Sequence, residues 1–148
     1  GTIHIAVIAL VYIVNSIMGS ISSQFGFELS IEIILGYIFA PIAWLMGIPW
    51  SEAVISGELL GIKTTLNEFV AYPALAALEN GELSDRSKLI TFYSLCGFAN
   101  LSSVGILISG ITAMAPERKD DLINVSFKAL VGATLASCMT GLIVGIFI

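Results

Sequence analysis

Long stretches without charge dominate this chain of 148 residues and restrict what it can fold into. Residues 89–115 and 129–148 contain no Asp, Glu, Lys or Arg, while the whole sequence is 57% hydrophobic and 11% charged, with a mean hydropathy of +0.97. Because about 20 predominantly apolar residues suffice for a transmembrane helix, both stretches can cross a bilayer. We therefore expect an all-α membrane protein and not a soluble globular domain.

The composition also argues against several classes of function. A net charge of −5 and a pI of about 4.6 argue against nucleic acid as a partner. Cys96 and Cys138 lie in apolar runs without metal-ligand spacing, which favours free buried thiols over a metal site or a cofactor. The sequence has no pattern of a nucleophile with its base, so an enzyme is not expected. Composition alone leaves open an intramembrane hydrolase that would use Glu68.

Changes of polarity along the chain divide it into five segments. Pro41 and Pro49 interrupt the second segment, and its tryptophans favour the membrane–water interface. Polar residues, with Gly57 and Gly61, interrupt the third. The segments are a transmembrane helix (1–19), an interfacial or broken helix (30–50), a re-entrant helical hairpin (51–80), a broken, discontinuous transmembrane helix (86–115) and a last transmembrane helix (122–148). The apolar run at the very start suggests that the chain is part of a longer protein.

The two interrupted segments predict a transport site. We expect the tip of the hairpin at residues 64–68, and a break in the next helix at residues 97–103, where Gly, Asn and paired Ser weaken a helix. A break frees backbone groups and helix ends near the middle of the bilayer. Those groups can bind a polar solute if they face a cavity and not lipid.

The side chains at the two breaks predict which solute would bind. An ionisable residue at membrane depth is costly, so Glu68 carries the first functional hypothesis. A carboxylate can accept bonds from two neighbouring hydroxyls, an amide matches the edge of a base, and a phenyl ring stacks on a flat heterocycle. These groups predict a site for a neutral solute with a sugar and a base, and not an ion pore. The candidate ligands are Glu68, Asn100, Phe98, Ser103 and Asn67.

Each candidate also has a purely structural interpretation. Glu68 could cap a helix end or pair with Lys63, and Lys63 could be an ion-pair partner or a side chain that snorkels to the interface. Phe98 would be ordinary packing in most membrane helices. Ser102 and Ser103 could donate back to carbonyl groups of their own helix.

Three sets of motifs resemble signatures of the concentrative nucleoside transporters. They occur in the order and spacing of that family, and together they cover essentially the whole chain, which resembles the C-terminal half of the family. The motifs are Gly-Ile-Lys at 61–63 with Asn-Glu-Phe-Val-Ala-Tyr at 67–72, Cys-Gly-Phe-Ala-Asn-Leu-Ser-Ser at 96–103 with Ala-Pro-Glu-Arg-Lys at 115–119, and Leu-Gly-Tyr-Ile-Phe-Ala-Pro at 35–41 with Gly-Ile-Pro-Trp at 47–50.

The resemblance implies a role for each motif. Glu68, near the tip of the re-entrant hairpin, would hydrogen-bond the ribose hydroxyls. Phe98, Asn100 and Ser103 would contact the nucleoside at the break in the next helix, and Asn67 shares the motif of Glu68. The implied activity is ion-coupled secondary active uptake of nucleosides by a multi-pass protein of the plasma membrane or the bacterial inner membrane.

The resemblance also implies partners outside this chain. Family members carry an earlier half, whose hairpin has a Gly-Gln-Thr-Glu element that contacts the base, and their sodium site lies in that half where they use sodium. We therefore expect the chain to need the missing N-terminal half of the same protein, to be driven by sodium or protons, and to assemble as a homotrimer in the lipid bilayer. The alternative is a non-transporting small membrane scaffold or assembly subunit whose polar residues only join helices.

Overall fold

The computed structural model describes residues 2–26 and 29–148, and within them the chain is helical without a β-strand. This confirms the all-α fold class; residue 1 of the predicted first span lies outside the described residues. The helices are α1 (Thr2–Ser22), α2 (Ile31–Leu45), α3 (Trp50–Thr65), α4 (Glu68–Ala77), α5 (Asp85–Leu95), α6 (Leu101–Met114) and α7 (Lys119–Phe147), with 3₁₀ turns at Ser23–Phe25 and Pro116–Arg118.

Helix α1 extends three residues beyond the predicted span at 1–19. Its last turn is rich in serine, and the Ser20 and Ser22 hydroxyls donate to the carbonyls of Ser16 and Gly19 at 2.8 and 3.3 Å. Because these hydroxyls are satisfied within the helix, the serines do not end it.

A polar contact joins α1 to α2. The Asn15 amide nitrogen donates to both carboxylate oxygens of Glu32, at 3.0 and 2.8 Å, and the Asn15 side-chain oxygen accepts from the backbone N–H of Ile31 at 2.9 Å. The start of α2 is also capped, since the Ser30 hydroxyl oxygen accepts from the N–H of Ile33. These contacts fix where α2 begins.

Helices α2 and α3 form the most extensive helix pair in the described part of the chain. Glycine permits the close approach: Gly57 lies against the backbone carbonyl of Gly36, and a Cβ at Gly57 would also lie 3.0 Å from the Ala40 backbone nitrogen. The α2 face is built from small buried residues, Ala40 and Ala43. The two backbones are therefore packed with little side-chain volume between them.

Pro41 does not break α2, which continues to Leu45. The helix is therefore not interrupted at Pro41, but it ends at Leu45 and the next helix begins at Trp50, directly after Pro49; the interfacial or broken helix over 30–50 stays a prediction. A proline removes one backbone hydrogen bond from a helix interior. Here the proline lies between the small buried residues that pack on α3, so tertiary contacts hold the helix together across it.

The predicted hairpin tip is a real interruption. Helix α3 ends at Thr65, whose hydroxyl donates to the Gly61 carbonyl at 2.8 Å, and α4 begins at Glu68. Leu66 and Asn67 lie between the two helices with non-helical backbone angles. The helical hairpin of the predicted fold class is thus present.

The second interruption lies at residues 96–100, between α5 and α6. It begins and ends slightly earlier than the 97–103 predicted, because Ser102 and Ser103 already belong to α6. The segment at 86–115 is therefore discontinuous, as the predicted fold class requires.

Helix α7 packs along α5 and, with the turn before it, forms an apolar helix long enough to cross a membrane (Pro116–Phe147). Its small residues allow close contact: Gly141 lies against Ser94 and the Ile90 carbonyl of α5, and Ser137 lies against Gly97 in the break. The break is thus enclosed by α7 on one side and by the α3–α4 hairpin on the other.

Candidate functional site

An asparagine restarts the helix after each break. Asn67 and Asn100 both have extended backbone angles, and their side-chain oxygens accept the N–H groups of Val70 and Ser103 at 3.1 and 2.7 Å. This is the N-cap arrangement, in which a side-chain oxygen satisfies one of the free N–H groups at a helix start. Both asparagines are nearly inaccessible to solvent. At each break, an asparagine side chain therefore satisfies one of the free N–H groups at the start of the next helix.

Glu68 and Asn100 bring the two breaks together. The Asn100 amide nitrogen donates to a carboxylate oxygen of Glu68 at 3.0 Å, in a buried contact between residues 32 positions apart in the chain. Glu68 is 6% exposed and Asn100 is 1% exposed. Because a carboxylate has about four acceptor positions, this bond leaves Glu68 with capacity to accept further hydroxyl donors.

A cavity of about 240 Å³ opens beside this pair, between α6 and α7. Phe98, Asn100 and Ser103 line it together, and the remaining wall comes from apolar and small residues of both helices. Phe98 is 70% exposed, so its side chain does not pack into the core of the described structure. An aromatic face, an amide and a hydroxyl thus meet at one mostly apolar cavity, which is the usual composition of a small-molecule site.

The five predicted site residues fall into two groups. Phe98, Asn100 and Ser103 line the cavity, whereas Glu68 reaches it through its bond to Asn100 and Asn67 caps α4 next to Glu68. The arrangement can present one amide and one carboxylate to a polar solute from two different helices.

Lys63 is the residue whose position the sequence did not reveal. It is 0% exposed, so it does not snorkel to an interface, and its Nζ donates to the Ser94 carbonyl at 3.3 Å. Within residues 2–26 and 29–148 it has no carboxylate oxygen within 4.0 Å, so the expected direct ion pair with Glu68 is absent there. Its partner is a backbone carbonyl, which carries no side-chain signature in the sequence.

Three smaller expectations can be compared with the structure. Ser102 is 1% exposed and its hydroxyl has no hydrogen-bond partner among the described residues, so it does not donate back to its own helix as expected. Cys138 is a free buried thiol as expected, but Cys96 is exposed, and its sulfur lies 3.0 Å from the Tyr72 hydroxyl. The described residues contain no group of three or more His, Cys, Asp or Glu that could hold a metal ion.

The sequence matches a family described as "Na+ dependent nucleoside transporter C-terminus" over residues 1–145. It is 44% identical over 125 residues to the nucleoside permease NupC of Helicobacter pylori, a match that covers 82% of this chain and 30% of the permease. It is 40% identical over 157 residues to human solute carrier family 28 member 3, covering 96% of this chain and 23% of the carrier.

The fold is similar to solved structures of CNTnw. A CNTnw variant in a state named intermediate 2 superposes with a TM-score of 0.91 at 42% identity, covering 100% of this chain and 37% of that one. CNTnw in an inward-facing substrate-bound state gives a TM-score of 0.83 at 41% identity, covering 99% and 37%. The chain thus spans between 23% and 37% of the length of these proteins.

Proposed function

Since this chain belongs to the family of Na+ dependent nucleoside transporters and matches its C-terminal part, we propose that the complete protein takes up nucleosides by ion-coupled secondary active transport. The chain is an integral membrane protein. We place it in the plasma membrane or the bacterial inner membrane. Family membership disfavours both an enzyme and a non-transporting scaffold.

One observation carries this proposal: the 3.0 Å hydrogen bond between Asn100 and Glu68, made across two helix breaks. The bond holds the carboxylate and the amide side by side, where ribose hydroxyls can donate to the first and a polar edge can pair with the second. Phe98 supplies an exposed aromatic face at the same cavity, on which a base can stack. Ser103 supplies a hydroxyl on that cavity wall, and Asn67 fixes the helix start that carries Glu68.

Part of the site lies outside this chain in our proposal. The chain covers 37% of the CNTnw chain, and none of the other predicted ligands besides Phe98, Asn100 and Ser103 lines the cavity. We propose that the N-terminal half of the same protein completes the nucleoside site and carries the ion site. The family description favours sodium as the coupling ion. We also propose that the complete protein assembles as a homotrimer.

The proposal is tested by reconstituting the full-length protein in liposomes and measuring uridine uptake. Glu68→Gln keeps the size of the side chain and removes its charge, so we expect the KM for uridine to rise about tenfold or more, as for loss of a hydrogen bond to a charged group. The matched control is Glu117→Gln, an exposed carboxylate in the turn before α7, which should leave uptake unchanged. Wild-type KM and rate in the Glu68→Gln protein would contradict the proposal.

The coupling ion is tested in the same liposomes. Replacing external sodium by choline at constant pH should abolish concentrative uptake if sodium drives transport. Uptake that persists in choline and requires an inward proton gradient would assign proton coupling instead.

A further inference from the structure

Lys63 lies completely buried in the last turn of α3, five residues before Glu68. Burial of an ammonium group costs several kcal/mol unless hydrogen bonds or opposite charge compensate it. A lysine that serves only to fill space at such a position could be replaced by an apolar residue of similar length at a gain in stability. The presence of the charge therefore requires a compensating contact, and the structure provides one.

The compensating contact is at the end of α5. Nζ of Lys63 donates to the carbonyl of Ser94, in the last turn of that helix, at 3.3 Å. The last carbonyl groups of a helix lack partners within the helix and carry partial negative charge, so a cation is favourable there. Lys63 therefore caps the carbonyl end of the helix that precedes the break.

The ammonium group also lies directly against the break. A Cβ built on Gly97 would be 3.7 Å from Nζ of Lys63 and would collide with Ser137 on α7. Glycine at position 97 is thus what allows the chain to turn between the lysine and α7. Glu68 lies within electrostatic range of the same ammonium, although it does not touch it.

The α3–α4 hairpin consequently contacts the α5–α6 break through two hydrogen bonds. On the side before the hairpin tip, Lys63 holds the Ser94 carbonyl; on the side after the tip, Glu68 holds the Asn100 amide. We propose that Lys63 is a positioning residue for the nucleoside site, which fixes the geometry of the break so that Asn100 meets Glu68. This inference rests on the proposed function for its transport readout, but its structural readout does not.

The experiment uses the full-length protein with Lys63→Met, which keeps side-chain length and removes the charge and its donors. The matched control is Thr91→Val. Thr91 makes a 2.7 Å hydroxyl bond to Ser56 that also joins α3 to α5 in the buried interior, but it lies farther along α5 from the break. If Lys63→Met does not yield folded protein, Lys63→Gln is measured against the same expectations, and Lys63→Arg tests rescue by a retained charge.

Two readouts separate positioning from general stability. Without nucleoside, Lys63→Met should accelerate amide hydrogen exchange across residues 96–103 about tenfold or more, while Thr91→Val should not, since local opening reports local contacts. Lys63→Met should raise the Kd for uridine about tenfold in the wild-type protein. The same substitution should raise it clearly less in a Glu68→Gln protein, because the effects of substitutions at coupled residues do not add. Lys63→Arg should recover most of the affinity.

An unchanged rate of amide hydrogen exchange at residues 96–103 in Lys63→Met would overturn the proposal. So would an equal loss of uridine affinity when Lys63→Met is made in the wild-type protein and in the Glu68→Gln protein. A wild-type protein that binds no uridine, yet shows faster exchange on Lys63→Met, would overturn the proposed function and leave the positioning role supported.

Discussion

The amide of Asn100 has two hydrogen-bonding groups, and each has a different task. Its oxygen accepts the backbone N–H of Ser103 at 2.7 Å and starts α6, while its nitrogen donates to Glu68 at 3.0 Å and joins the two breaks. An amide provides a separate atom for each task, an oxygen that accepts and a nitrogen that donates. The two tasks can be separated by substitution, because serine and aspartate retain the first and lose the second.

Asn100→Ser should keep the helix start and lose the bond to Glu68. Serine is a good N-cap residue but is too short to replace the amide donor. We expect nucleoside binding to weaken by about 1–3 kcal/mol, the usual effect of leaving a buried polar partner unsatisfied, and the melting temperature to fall as well, because Glu68 loses the same bond in the unliganded protein. Isothermal titration with uridine and thermal unfolding of the full-length protein measure the two effects.

Comparison with Asn100→Ala sharpens this prediction. Alanine removes the cap as well, so it should cost about 1 kcal/mol more in stability than serine for a similar loss of binding. Equal melting temperatures for the two variants would show that the cap of α6 contributes nothing measurable.

Phe98→Ala should reduce nucleoside affinity without destabilising the protein. The ring is 70% exposed and lines the cavity, so its removal leaves no buried void in the described structure. Stacking of a base on an aromatic ring contributes about 1–3 kcal/mol, so we expect roughly a tenfold or greater rise in Kd. Phe147→Ala, at an exposed position near the end of α7, is the control and should change neither property.

Gly141→Ala should destabilise the packing of α5 on α7. A Cβ at this position would collide with the Ser94 hydroxyl and lie 2.5 Å from the Ile90 carbonyl oxygen, a backbone atom that cannot rotate away. Overpacking of this kind costs about 1–3 kcal/mol. Gly132→Ala, on the same helix with nothing within 4 Å, is the control and should have a neutral or higher melting temperature. Thermal unfolding in detergent distinguishes the two variants, and equal behaviour would contradict the close α5–α7 contact.

Arg86 should contribute more to stability than Arg118. The Arg86 guanidinium donates to the carbonyls of Gly47 and Gly145, both at 2.6 Å, and so ties the start of α5 to the α2–α3 turn and to the end of α7. Arg118 pairs with Asp121 at 2.7 Å on the surface, where such pairs contribute little. We expect Arg86→Ala to lower the melting temperature clearly and Arg118→Ala to leave it almost unchanged. Arg86→Lys should restore only part of the loss, since an ammonium lacks the planar fork that reaches both carbonyls.

The helix breaks could be predicted from the sequence because their signals are local. Asn67 and Asn100 are N-cap residues followed by apolar helical runs, and each break also carries residues that disfavour a helix. The same kind of local signal predicted an interruption at Pro41, but α2 continues through this residue. There the deciding factor is the close packing of α2 on α3 through Gly36 and Gly57, and sequence alone does not reveal which glycines face each other.

The arrangement around Lys63 could not be predicted for a different reason. Its partner is the backbone carbonyl of Ser94, 31 residues away, and any residue type would present the same group. The exposure of Cys96 likewise depends on which way the chain turns at the break. The family resemblance and the polar residues at the two breaks predicted that Glu68 and Asn100 belong to one site. The hydrogen bond between them depends on the tertiary fold and could not be predicted from the sequence.

The double use of Asn100 has a consequence for how this protein can change over generations. A mutation at Phe98 alters only the wall of the cavity, because that ring supports nothing else in the described structure. A mutation at Asn100 alters the bond to Glu68 and the restart of a helix together. In the proposed nucleoside site, substrate preference could therefore evolve by single steps at the aromatic position, while an exchange of the asparagine would call for compensating changes elsewhere.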